Sequence, residues 1–203
     1  MPRHNESRER ILATATEVFA RKGFENATVD EIAQAAGVAK GTVYYSFPTK
    51  SALYAGVIVG GVAWLRNETV AHLERDEPVP AQMLAIIATL TDIFLEYTEI
   101  AGEFLSETPH GLDPPDKQQI ARAREEMLDF TSSLISEGIE HGHLRPVDPR
   151  LTAAGIVFML HALCRDSVRS ARPRAREEIV HLVGLMLTAG IIRAPQEARD
   201  GRA

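Results

Sequence analysis

The chain has 203 residues, 45% of them apolar and 25% charged, with a net charge of −6. A body of this size buries about 70% of its unfolded surface. The composition excludes a disordered, collagen-like or low-complexity chain. The single cysteine, Cys164, excludes an intrachain disulfide and fits a reducing, cytoplasmic setting. The first 54 residues carry a net +1 and the remainder −7, so the acidity of the whole does not decide what the head binds. The polar start, Met1-Pro2-Arg3-His4-Asn5-Glu6, lacks the apolar core of a signal peptide. The longest apolar stretch, Ala55–Leu65, has 11 residues including three glycines, against the roughly 20 that a membrane span needs. A soluble cytoplasmic protein without a membrane partner is expected.

No period-two alternation and no Asn-Gly or Asp-Gly turn points to strands. Helical spacing runs through most of the chain. The first helix is expected to start near Asn5 or Ser7 as N-cap; Ile11, Leu12, Ala15, Val18 and Phe19 form its apolar face, and Gly23 ends it. Thr28-Val29-Asp30-Glu31 has the pattern of a capping box opening a second helix, which Gly37 stops. A third helix spans Lys40 to Phe47, broken by Pro48. A fourth, capped by Thr49, reaches about Glu74, and residues 78–80 are a connector. A fifth covers about Ala81 to Ile100, with a short piece at 103–107. Residues 108–116 read as a loop, and a long helix then runs to about Glu140. Asp148-Pro149 is an N-cap followed by an N1 proline, opening a helix to about Ser170. Pro173 precedes the last helix, about 174–190. The result is an all-α chain of about nine helices.

Three short helices within 50 residues, two of them joined by a tight turn at Gly37, outline a helix-turn-helix, whose later helix enters the DNA major groove. At about 100° per residue, Val43 and Phe47 share one face and are both apolar. With that face inward, Gly41 and Tyr45 point outward, Thr42 lies beside them and Tyr44 on a flank. Glycine lets a backbone approach DNA closely. Threonine hydrogen-bonds base edges or touches a thymine methyl, and the tyrosines donate to phosphates. Lys50 stands at the start of the fourth helix, where free amides and the dipole favour an anion.

The segment Lys40-Gly41-Thr42-Val43-Tyr44-Tyr45-Ser46-Phe47-Pro48-Thr49-Lys50-Ser51-Ala52-Leu53-Tyr54 resembles the signature of the TetR family of transcriptional regulators. Phe19-Ala20-Arg21-Lys22-Gly23-Phe24 and Thr28-Val29-Asp30-Glu31-Ile32-Ala33 resemble that family's first two helices, and Gly142-His143-Leu144 followed by Asp148-Pro149 resembles a common family turn. Two departures stand out: Ser46 where many members have histidine, and Ala39 where many have Ser or Thr. The resemblance implies a homodimer on a palindromic operator in double-stranded DNA, most often a repressor released by a small-molecule effector. It implies an N-terminal helix-turn-helix domain (1–50), a helical ligand-binding and dimerisation domain (51–195) and a flexible tail (196–203). By the family pattern Thr28, Lys40, Gly41, Thr42, Tyr44, Tyr45 and Lys50 contact DNA. Of the large side chains in the body, Tyr97, Phe130 and His161 are the candidates for lining the effector pocket.

Other features have competing readings. Glu96, Glu99, Glu103 and Glu107 recur at helical spacing, as a solvated face or as a lure for a cationic ligand. His161 and Cys164 lie i, i+3, as a thiol with a base or as part of a buried face among Phe158, Met159, Leu160 and Leu163. The buried face is the expectation, and no catalytic constellation is predicted. His141 and His143 read as a helix-terminal turn rather than a metal site; neither metal nor cofactor is expected. Residues 179–192 are apolar on nearly every face. Such a helix is covered all round, either centrally in one subunit or by dimerisation together with residues 151–170. The second reading makes Val157, Leu182, Leu185 and Met186 interface residues.

Overall fold

The computed structural model describes residues 2–74, 77–106 and 111–192. The expected tail, Glu107 and residues 108–110 of the expected loop lie outside them. Among the described residues the chain forms nine helices: α1 (Pro2–Asn26), α2 (Val29–Ala35), α3 (Lys40–Ser46), α4 (Lys50–Leu73), α5 (Val79–Glu96), α6 (Thr98–Leu105), α7 (Pro114–Glu140), α8 (Pro149–Arg169) and α9 (Arg176–Gly190). No strand forms among them; a single antiparallel bridge pairs Leu144 with Ile192.

The chain divides into two compact units, Met1–Trp64 with Glu99–Arg124, and Leu65–Thr98 with Glu125–Ala203. In the first, α1, α2 and α3 pack on one another over Ile11, Phe19, Ile32, Val43, Leu53 and Ile120, all fully buried. Tyr54 sets its ring edge-on to Phe19 at 4.8 Å and against Phe24 at 5.1 Å. Burial, reinforced by the carboxylates of Glu103 and Glu99, pushes its phenol far above the usual tyrosine range, so it stays neutral. Gly111 and Asp113, just before α7, lie against this cluster and the start of α4. Gly111 has φ 69°, and an added Cβ there would meet the Glu25 carboxylate and the Phe24 ring. The Asp113 amide donates to Ser51 Oγ at 2.9 Å. Arg124 donates to the Phe104 and Ser106 carbonyls, satisfying orphan acceptors at the end of α6.

In the second unit α5 packs on α8 and α9, and α8 on α9. The seam is partly polar. Thr91 Oγ1 donates to the Ile87 carbonyl at 2.7 Å, His161 Nε2 to the Thr98 carbonyl at 3.3 Å, and the Cys164 thiol points at the Thr91 carbonyl, 3.9 Å away. Each of these buried polar groups thereby finds a partner. By length and composition alone α5 and α8 are apolar enough to cross a membrane. Each, however, packs on the other and carries paired charges outward: Asp92 with Arg176, and Arg150 with Glu125 and Asp129.

Local signals account for several helix ends. Thr28 and Glu31 form the expected capping box. At the end of α2 the Val38 amide donates to Ala33 (3.0 Å) and the Gly37 amide to Gln34 (3.1 Å), a Schellman closure that Gly37 permits with φ 64°. Thr49 Oγ1 accepts from the Ala52 amide, and Asp148 from the Leu151 amide. His141 and His143 flank Gly142, whose φ of 75° closes α7 in the same way.

Five boundaries differ from the expectation. α1 begins at Pro2 rather than at Asn5 or Ser7; Gly23 interrupts it (φ 72°, ψ 171°), but helical residues resume to Asn26. α5 starts at Val79, because Pro80 falls in a first turn that needs no amide donor from it. For the same reason α7 starts at Pro114, within the expected loop. The expected single helix through Ile100 is broken at Tyr97 (φ −118°, ψ 37°), where α8 contributes a donor, His161, to the Thr98 carbonyl.

The Cys164 side chain is wholly inaccessible, and burial pushes its thiol pKa up to about 11. Its sulfur and His161 Nε2 face different carbonyls, an arrangement unlike a nucleophile with its base. Ellman's reagent should therefore leave Cys164 untouched at pH 8 in the folded protein and titrate one thiol per chain in denaturant. Rapid labelling of the native protein would contradict this packing.

Candidate nucleic-acid interface

Two apolar side chains fix the orientation of α3. Val43 and Phe47 are buried, while Gly41, Tyr44 and Tyr45 are exposed and Thr42 is half-buried. Tyr45 has 78% of its surface accessible and Tyr44 42%. An added Cβ at Gly41 would have nothing within 4 Å, so the protein itself does not require glycine there. The outward face is the one that the periodicity places outward. Ala39 caps α3 without a side-chain hydrogen bond, and Ser46 Oγ is buried with no partner among the described residues.

Around this face most charges are already engaged. Thr28 is exposed at the start of α2; its Oγ1 accepts from the Glu31 amide at 3.2 Å, which leaves its own O–H to donate outward. Glu31 is held below the usual carboxylate range by its hydrogen bond to Lys22 and then by those to Thr28. Lys40 Nζ pairs with Asp30 at 2.9 Å, which raises the lysine pKa, and lies 5.9 Å from the Tyr44 ring centroid.

Lys50 is engaged within the protein. Its ammonium donates to the carbonyls of Phe24 (2.8 Å), Ala27 (3.2 Å) and Glu25 (3.3 Å) and sits 4.4 Å from the centroid of the Phe24 ring. Three donors meet three carbonyls that the broken end of α1 leaves over. The side chain thus closes α1 onto α4, a role invisible in a local motif because its partners stand 23 to 26 positions earlier. A residue that sequence reasoning passes over also reaches this region: the Arg8 guanidinium lies 4.9 Å from the centroid of the Phe47 ring.

The remaining candidates fall in the second unit. Tyr97 is the C-cap of α5. Phe130, on α7, lies under the Arg66 guanidinium at 4.9 Å. His161 is buried on α8, edge-on to Phe94 at 5.6 Å. On α8 and α9, Leu182, Leu185 and Met186 are exposed and Val157 is half-buried; Leu151 and Phe158 are exposed large apolar side chains outside that expected set.

Two family models match the chain. One, described as bacterial regulatory proteins of the tetR family, covers residues 11–57. The other, a tetracyclin repressor-like C-terminal domain, covers residues 76–165. The chain is similar to an uncharacterised HTH-type transcriptional regulator, YhgD of Bacillus subtilis, at 24% identity over 181 residues, 89% of this chain and 94% of the relative. It is similar to the HTH-type transcriptional activator FasR of Mycolicibacterium smegmatis at 27% identity over 195 residues, 96% and 87% of the two chains. Its fold matches that of the transcriptional regulator FadR from Bacillus subtilis in complex with stearoyl-CoA, with a TM-score of 0.73, 19% identity, and coverage of 90% of this chain and 98% of that one.

Replacing Lys50 by Met keeps the length of the side chain and removes the donor. It should lower stability by about 2 kcal/mol, the scale of a hydrogen bond to a charged group, read as a lower urea midpoint with unchanged slope. An unchanged midpoint would remove Lys50 from the closure of α1.

Proposed function

The chain belongs to the tetR family of bacterial regulatory proteins and is a helix-turn-helix transcriptional regulator rather than an enzyme; on that premise we propose that it acts as a cytoplasmic homodimer, repressing from a palindromic operator and released by a small-molecule effector. The observation that carries the reading is the outward face of α3: a glycine, a threonine and two accessible tyrosines over a buried Val43 and Phe47. Thr42 reads base edges, Gly41 admits close approach, and Thr28, Tyr44 and Tyr45 hold backbone phosphates. Lys40 reaches a phosphate by exchanging Asp30 for it. Lys50 serves by holding the helices in place. The same face would serve an activator such as the similar FasR.

The exposed apolar side chains of α8 and α9 support dimerisation. Leu151 has 73% of its surface accessible and Leu185 55%, and burying such groups against a second copy is favourable at about 25 cal/mol per Å². A dimer sets two recognition helices about 34 Å apart, one turn of duplex. Effector release then requires a ligand that binds the non-binding conformation more tightly, since only differential affinity shifts an equilibrium. α4, which runs from the first unit into the second in sequence, is the proposed link. Tyr97, Phe130 and His161 are the proposed effector contacts. Because the similar FadR holds stearoyl-CoA, a long-chain acyl-CoA is the first compound to test.

Selection of sites from random duplex DNA by the purified protein tests the reading. A palindrome whose binding weakens steeply with salt is the expected result; no enrichment at either of two salt concentrations would overturn it. On the selected site Tyr45→Ala should weaken binding equally for every sequence, whereas Thr42→Ala should alter base preference at one position per half-site. A sequence-dependent loss from the first, or an unchanged preference in the second, would reverse those roles. Leu185→Glu should yield monomers in sedimentation, and a variant that remains dimeric would exclude this interface.

A further inference from the structure

We propose that Arg8 is a phosphate anchor for duplex DNA at the C-terminal end of the recognition helix, an assignment that rests on the DNA-binding reading of α3. Binding to a polyanion draws on cations whose charge is not already spent inside the protein. On this head Lys22 is paired with Glu31, Lys40 with Asp30, and Lys50 with three backbone carbonyls. Arg8 differs. It is exposed on α1, and its guanidinium is held by the face of Phe47, 4.9 Å from the ring centroid. An aromatic face attracts the cation without neutralising it. It also supplies no oxygen acceptor, so the five N–H donors remain for another partner.

The stacking also decides where that charge stands. Phe47 is 4% exposed and is the residue that ends α3, so the guanidinium covers the C-terminal end of the recognition helix, whereas Lys40 stands at its start. From Gly41 to Phe47 the helical rise is about 9 Å, comparable with the roughly 12 Å width of the major groove. With the Gly41–Tyr45 face in the groove, Lys40 lies toward one bounding strand and Arg8 toward the other. A guanidinium forks onto two phosphate oxygens where an ammonium offers a point charge. Its orientation is set in advance by the ring, so little side-chain freedom is lost on binding.

The test uses the full chain on its selected duplex, with the slope of log affinity against log salt as the readout. Arg8→Ala should lose roughly ten-fold in affinity at low salt, equally for the selected site and for base-changed sites, and its slope should be shallower by about 0.9. Arg8→Lys should keep the slope and lose part of the affinity. Arg172→Ala, which removes the same charge from the second unit, should leave the slope as it was. Because Arg8→Ala also removes a contact with Phe47, Arg8→Gln is measured beside it, and the comparison is made on whichever variant retains the wild-type melting temperature. Wild-type affinity and slope in that variant would overturn the anchor while leaving the DNA-binding reading intact. A loss confined to particular base sequences would overturn it as well, as a base contact. If the unmodified protein enriches no duplex, the reading of α3 fails and the anchor fails with it.

Discussion

One ammonium holds the head together. Lys50 opens α4 and places its three donors on the carbonyls of Phe24, Glu25 and Ala27, at the point where Gly23 has broken α1. Without it the part-buried carbonyls of Phe24 and Ala27 would lose this donor, and orphaned acceptors at helix ends are costly. Satisfying them ties the end of α1, the approach to α2 and the start of α4 to a single side chain. The capping box that follows at Thr28 then starts α2 from a fixed point, and the Schellman closure at Gly37 turns the chain into α3.

α3 itself contributes little to its own stability. Seven residues are too few for an isolated helix, and its N-cap, Ala39, offers no side-chain bond. Its orientation comes from burying Val43 and Phe47. That division of labour leaves the opposite face accessible. Gly41 has open space above it and the tyrosines carry large accessible surfaces, so a partner outside the protein can reach them.

Signals confined to four or five residues are legible in the sequence. The Thr28–Glu31 box, the Gly37 and Gly142 closures, and the Asp148-Pro149 start each follow from one residue's chemistry acting on its neighbours, and the apolar spacing of α3 identifies its buried face. What depends on distant partners is not legible. In the sequence Lys50 reads as a residue presented at a helix start, and only its spatial neighbours show that its donors are occupied. Arg8 and Phe47 are 39 positions apart, and nothing local joins them. The Thr98 carbonyl, just past the break at Tyr97, takes a donor from His161, 63 positions later. Pro80 and Pro114 read as connector and loop because a proline marks a boundary without saying on which side of it the helix lies. The effector contacts stay least legible of all, since an aromatic side chain reads alike in a core and in a pocket.

The contacts of Gly111 and Asp113 with the head have a bearing on how such heads can be exchanged between proteins. The first compact unit is discontinuous in sequence, drawing Glu99–Arg124 to Met1–Trp64. Gly111 holds a left-handed backbone against Phe24 and Glu25, and Asp113 binds Ser51. A chimera spliced within α4, after Ser51, would take residues 24, 25 and 51 from one parent and residues 111 and 113 from the other. A parent with any side chain at position 111 would then meet both a steric and a conformational penalty. The two stretches form one heritable module, and a grafted head needs its distant loop to travel with it.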